Sequence, residues 1–91
     1  MIADTDRPVL PRGVRLHWDR VRETWTLLAP ERAILLDDAG HAILAEVDGA
    51  RSVAEIAARL AERFAAPVDE ILADTREFLA GLAERRLVDR A

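Results

Sequence analysis

The chain has 91 residues, enough for one small domain and too few for a second core. Its net charge is −4, and its Arg residues are interspersed with Asp and Glu. This pattern disfavours nucleic-acid binding, because phosphates repel an acidic surface. There is no cysteine, which excludes disulfides, thiolate nucleophiles, thiolate zinc sites and iron–sulfur clusters built from this chain.

The N-terminal segment lacks the features of a targeting signal. Asp4 and Asp6 stand where a secretory signal would need a basic patch and an apolar run. No stretch reaches the roughly 20 apolar residues of a membrane span, so we expect a cytoplasmic protein without a membrane partner. Residues 1–12 contain two prolines and no period. We therefore expect a flexible N-terminal arm over 1–12 and a single domain over 13–91.

The first half of the domain has the pattern of strands. Val14, Leu16 and Trp18 alternate with polar residues, which predicts a half-buried strand. A second strand follows at 24–28, which is rich in β-branched and aromatic residues. The spacing favours an antiparallel hairpin.

A third strand is predicted over residues 32–36. Pro30 breaks the pattern after the second strand, and the apolar run at 33–36 then fits either a strand or the start of a helix. Its short length and the preceding proline favour a strand.

The second half of the domain has the pattern of three helices. Asp37 and Asp38 are candidate caps for the first, and Ser52 with Glu55 forms a capping box for the second. The third starts near Val68. Apolar residues at helical spacing follow along it, and Leu87 and Val88 are expected to fold back onto the core. The order of three strands and three helices predicts an α+β fold, a three-stranded antiparallel sheet followed by a three-helix bundle.

Groups that could carry chemistry are sparse. His17 and His41 have no second ligand at a useful spacing, and Asp37-Asp38 fits a cap better than a catalytic pair. There is no phosphate loop, nucleophile elbow or triad. We expect neither an enzyme nor a bound cofactor or metal.

Interaction is the function that remains. The run at 33–36 has no charge or proline to block pairing, so an extended peptide could add to it if it forms a sheet edge. Should the N–H of Ile34 face that peptide, proline there would abolish pairing. The plainer interpretation is that the run is core.

Two other binding functions stay open. The helices at 52–64 and 68–85 could form the helix-turn-helix of a winged-helix DNA-binding regulator. Asp69, Glu70 and Asp74 would then face phosphates, which is unfavourable. A structural or assembly subunit that binds only a protein is the other alternative.

Several segments together resemble the PqqD family. They are Pro11 to Leu16, Trp25, Leu28-Ala29-Pro30-Glu31-Arg32, Asp48-Gly49, Val53-Ala54-Glu55-Ile56 and Phe78-Leu79-Ala80-Gly81-Leu82. The likeness spans about Pro8 to Val88, and the Leu-Ala-Pro-Glu-Arg segment is its most specific part. That family is similar to the winged-helix-like RiPP recognition elements, which bind leaders of ribosomally made peptides.

The resemblance implies a peptide chaperone of pyrroloquinoline quinone (PQQ) biosynthesis that performs no chemistry itself. It would bind the precursor peptide PqqA and deliver it to PqqE, a radical SAM enzyme. The leader would add as a strand to the third strand, in a groove beside the last helix. The candidate peptide-binding residues are therefore Arg32, Ala33, Ile34, Leu35, Leu36, Ile71, Thr75, Phe78 and Leu79.

Overall fold

The computed structural model describes residues 2–91. Its elements, in chain order, are β1 (Pro8–Val9), β2 (Arg15–Asp19), β3 (Thr24–Ala29), β4 (Arg32–Leu35), α1 (Asp38–Ala45), α2 (Val53–Phe64), α3 (Val68–Glu84) and β5 (Asp89–Arg90). Strands β2, β3 and β4 form one antiparallel sheet and precede all three helices. This confirms the predicted α+β fold. None of the helices in this described part is long and apolar enough to cross a membrane.

The main sheet is a meander with β3 in the middle. Trp18 of β2 lies opposite Trp25, and Ile34 of β4 lies opposite Leu27. Pro30 and Glu31 are the whole connection from β3 to β4, a turn in which the missing N–H of proline costs the ladder nothing. The meander leaves β4 at the sheet edge, and only two residues connect it to the end of β3.

One face of the sheet and the three helices enclose the core. Leu27 from the central strand is fully buried together with Leu44, Val53, Ile56 and Leu79 from the helices. Each buried side chain of this size contributes about 1.5–3 kcal/mol relative to exposure. Leu87 and Val88 are also buried, as predicted, at the end of the chain.

The helix starts follow from local side chains. Asp37 Oδ1 accepts a hydrogen bond from the Gly40 N–H at 2.7 Å and so begins α1. The Ser52 hydroxyl accepts from the Glu55 N–H at 3.1 Å, while Glu55 accepts from the Ser52 N–H at 2.9 Å. These contacts confirm the predicted cap and capping box. Helix α2 then ends at Ala65, whose φ of 50° is left-handed.

Residues 2–12 differ from the flexible arm expected over residues 1–12, of which Met1 lies outside the described residues. Ile2 is buried in the core, and β1 pairs with β5. The carbonyls of Asp4 and Asp6 accept hydrogen bonds from the Ala54 and Val53 N–H groups at 3.0 and 2.9 Å. The first turn of a helix has N–H groups without intrahelical partners, and this segment satisfies two of them on α2.

Candidate binding groove

Strand β4 has one open side. It pairs with β3 alone within the described residues, and its Ala33 and Leu35 are exposed. The Leu36 N–H donates to the carbonyl of Trp25, the residue opposite, at 2.9 Å. Opposed pairs in an antiparallel ladder alternate between bonded and non-bonded. Ile34 therefore points its main-chain groups at β3, while Ala33 and Leu35 point theirs outward.

This alternation corrects one expectation from the sequence. The N–H of Ile34 was considered as a group that a visiting peptide could meet, but it faces Leu27 inside the sheet. The open edge instead offers the N–H and C=O of Ala33 and of Leu35. An isolated strand pattern cannot distinguish these two sets, because the assignment depends on the register with β3.

A groove of about 580 Å³ runs between β4 and α3. The strand side contributes Ile34, Leu35 and Leu36, followed by Asp37. The helix side contributes residues at spacings of three and four, which lie on one face of α3. These helix residues are Asp74, Glu77, Phe78, Gly81, Leu82 and Arg85.

Two glycines shape the groove. A Cβ placed on Gly40 would lie only 3.2 Å from Cζ of Phe78, so the absence of a side chain in α1 allows the Phe78 ring to pack there. Apart from its chain neighbours and the adjacent helix backbone, a Cβ placed on Gly81 would have no atom within 4 Å. Gly81 therefore leaves open space in the middle of the helical wall, where a larger residue would project into the groove.

The structure divides the candidate site residues into three groups. Ile34, Leu35, Leu36 and Phe78 do line the groove. Arg32 and Ala33 are exposed on the same strand, next to it. The other three lie elsewhere and are Ile71, Thr75 and Leu79.

Those three α3 residues lie on a different face of the helix. Ile71 and Thr75 line a second cavity of about 100 Å³ between the helices, which Asp74 also borders, and Leu79 is 0% exposed within the core. They repeat every four residues, and so does the groove face represented by Asp74 and Phe78. The two rows are one residue apart, a rotation of about 100° around the helix.

Sequence reasoning missed Asp37, Asp74, Glu77, Gly81, Leu82 and Arg85 as groove residues. The spacing from Phe78 could have found most of them, since 74, 81, 82 and 85 lie at helical intervals from it. Four of the six, Asp37, Asp74, Glu77 and Arg85, are charged and so lie outside the apolar stripe from which the candidate residues of α3 were chosen. In the structure the apolar stripe is mainly core.

An open strand edge beside a helix-lined groove defines a domain that can accept an extended segment as an added strand. Comparisons with known proteins agree with this class. The solution structure of the PqqD truncation of Methylobacterium extorquens PqqCD superposes with a TM-score of 0.86, at 46% identity, over 99% of this chain and 96% of that chain. It is described as a functional and stand-alone recognition element for ribosomally synthesised, post-translationally modified peptides.

Other relatives are similar along most of their length. The crystal structure of PqqD from Xanthomonas campestris matches with a TM-score of 0.61 and 42% identity, over 96% of this chain and 97% of that one. A PqqA binding protein of Rhizobium meliloti strain 1021 is 51% identical over 80 residues, which are 88% of this chain and 82% of the relative. The family described as Coenzyme PQQ synthesis protein D (PqqD) matches residues 24–88. This chain belongs to the PqqD family.

Proposed function

We propose that this chain binds the peptide PqqA as an added strand on β4 and presents it to the enzyme PqqE in PQQ biosynthesis. The carrying observation is the open edge of β4 next to the groove against α3. Relatives at 51% and 45% identity are named PqqA binding proteins. A domain with this groove and these relatives is suited to hold a peptide without reacting with it.

The main chain of β4 can supply direction to the peptide but not enough affinity. The outward N–H and C=O groups of Ala33 and Leu35 can make up to four hydrogen bonds, each with a net value of about 0.5–1.5 kcal/mol. Fixing the backbone of five peptide residues costs about 5–10 kcal/mol. Hydrogen bonds alone therefore leave binding unfavourable.

The groove supplies apolar contacts for the part of the binding free energy that the hydrogen bonds do not provide. Side chains of an added strand alternate between the two faces of the sheet. Those on the helix side would meet Ile34, Leu36, Phe78 and Leu82 along the groove. Burial there contributes about 25 cal/mol per Å² of apolar surface. Peptide affinity should depend mainly on this face.

Filling the groove tests the proposed seat of the peptide. Gly81→Leu places a side chain into open space inside a helix, so it favours folding while it occupies the groove. Ala73→Leu adds the same side chain at an exposed α3 position outside the groove lining and serves as the matched control. Calorimetry with PqqA should show binding at least about tenfold weaker for Gly81→Leu, and near wild-type binding for Ala73→Leu.

Equal binding by both variants would contradict the groove as the seat. Thermal unfolding of the two variants shows whether the fold is kept. A folded Gly81→Leu protein with wild-type affinity would place PqqA elsewhere on the surface.

Presentation to PqqE is the second half of the proposal. A peptide held at one segment keeps its other residues free, and an adaptor that also contacts the enzyme raises the local substrate concentration. PqqE should therefore modify PqqA faster when the wild-type chain is added, and the Gly81→Leu variant should lose this stimulation. Equal rates with and without the wild-type chain would refute presentation while leaving peptide binding intact.

A further inference from the structure

The two ends of the groove have opposite charge. Asp37, Asp74 and Glu77 line it together with a single basic residue, Arg85. All four residues are exposed. The groove walls therefore combine an apolar floor with charged groups that a bound segment would meet.

These four charged groups have no ion-pair partner within residues 2–91. The salt bridges of that part of the chain join other residues, such as Arg59 with Glu46 at 2.6 Å and Arg76 with Asp4 at 2.6 Å. Asp37 is the N-cap of α1, where its Oδ1 accepts from the Gly40 N–H, but it forms no salt bridge with a basic side chain within residues 2–91. The four charged side chains are therefore available to pair with a ligand.

The acidic groups collect at the α1 end of the groove. The position of a Cβ on Gly40 is 3.1 Å from Oδ1 of Asp37 and 3.2 Å from Cζ of Phe78, so Asp37 and Phe78 lie at one level. Asp74 is one helical turn before Phe78, towards the start of α3, and Glu77 is adjacent to Phe78 in the chain. Arg85 caps the opposite end of α3.

The distance between the charged ends sets a spacing for the ligand. Arg85 is eleven positions after Asp74, a rise of about 16 Å at about 1.5 Å per helical residue. An extended chain covers that distance in about five residues, at about 3.3 Å each.

We infer that the groove selects an extended peptide segment with a basic side chain at the Asp37–Asp74 end and an acidic side chain at the Arg85 end, about five residues apart. This inference rests on the proposed peptide-binding function and names its specificity. A strand edge by itself accepts many registers and both directions. Opposite charges at the two ends of the groove favour one direction and register of the peptide. They oppose the reversed direction, because like charges of peptide and groove would then meet.

Charge reversals at the two ends provide the first test. Asp74→Lys and Arg85→Glu turn attraction into repulsion, and each should weaken binding of PqqA about three- to tenfold at low salt. Glu62→Lys on α2 and Arg22→Glu in the β2–β3 turn change the net charge equally at exposed positions outside the groove. These controls should leave the affinity within about twofold, and the difference should shrink as salt is raised.

Double-mutant cycles with the peptide locate the partners. Each Lys, Arg, Asp and Glu of PqqA is neutralised in turn and measured against the wild type, Asp74→Asn and Arg85→Gln. The peptide residue that couples to Asp74 should be basic, the one that couples to Arg85 should be acidic, and about five residues should separate them.

The outcomes distinguish this inference from the proposed function. Tight PqqA binding by the wild type, with groove and control reversals of equal effect or no coupling to either end, refutes the charge specificity and leaves the proposed function in place. The charge specificity would also be refuted if Gly81→Leu abolished PqqA binding but an acidic peptide residue coupled to Asp74 or a basic one coupled to Arg85. Absence of any PqqA binding by the wild type would remove both.

Discussion

The main chain of Leu35 is the sharpest place to perturb the proposed peptide contact. The register with β3 directs the Leu35 N–H to the open edge and the Ile34 N–H into the sheet. Leu35→Pro therefore removes a donor that the isolated domain does not use for its own ladder. Proline is tolerated on edge strands when its N–H would face solvent.

The size of the effect follows from the hydrogen bond that is lost. Leaving a peptide carbonyl without its partner costs about 1–3 kcal/mol, which corresponds to roughly 5- to 150-fold in Kd. Leu35→Ala keeps the N–H and truncates only a side chain that is 54% exposed, so it measures the side-chain part alone. Ile34→Pro instead removes the hydrogen bond that Ile34 donates to β3, and leaving the Leu27 carbonyl without that partner should lower the stability of the fold by about 1–3 kcal/mol.

Calorimetry with PqqA and thermal unfolding, applied to the three variants, check this reasoning. The expected result is a Leu35→Pro protein that unfolds near the wild-type temperature and binds PqqA weakly, while Leu35→Ala binds more tightly than Leu35→Pro. A folded Leu35→Pro variant with wild-type affinity would refute strand addition at this edge. Strong destabilisation by Leu35→Pro together with a harmless Ile34→Pro would show that the register is assigned wrongly.

Three further predictions concern stability. Gly81→Ala should stabilise the fold by up to about 1 kcal/mol, seen as a Tm higher by several degrees, because the added Cβ meets no neighbour; a lower Tm would contradict the open space. Leu79→Ala should cost about 2–5 kcal/mol in chemical unfolding, because its side chain is fully buried in the core rather than in the groove. Glu46 has a pKa below its ordinary value of 4.5, mainly through the hydrogen bond from Arg59 and despite partial desolvation. The stabilisation of the folded state by ionised Glu46 is complete above the pKa that Glu46 has in the unfolded chain, and it is lost as the pH falls through its lower pKa in the folded state. Arg59→Gln should therefore lower the free energy of unfolding at neutral pH. The difference in stability between this variant and the wild type should narrow in acid.

Local patterns in the sequence predicted most of the elements. The three strands lie within a residue or two of their expected bounds, and the Asp37 cap and the Ser52–Glu55 box form as their residue types require. Each of these features depends on neighbours within a few positions, which a sequence displays directly. For the third strand, the short length of the apolar run and the preceding Pro30 favoured a strand over the start of a helix, and the structure has a strand there.

The candidate site was recovered only in part. Ile34, Leu35, Leu36 and Phe78 lie beside the groove, but Ile71, Thr75 and Leu79 do not. A helix with apolar residues on two adjacent rows gives no indication of which row meets the core and which meets a groove. The choice depends on how α3 is rotated against the sheet.

The sequence by itself determined the order of the three main strands and the three helices, the helix caps and the absence of charge and proline at residues 33–36, because these follow from local propensity and side-chain chemistry. Only the tertiary structure decided that the main-chain N–H and C=O groups of Ala33 and Leu35 point to the open edge, that Asp74 and Arg85 line the same groove, and that Ile2 is buried. The physical reason is that strand register, helix rotation and chain return join residues far apart in sequence. Packing of the whole core selects among arrangements that each local pattern permits equally.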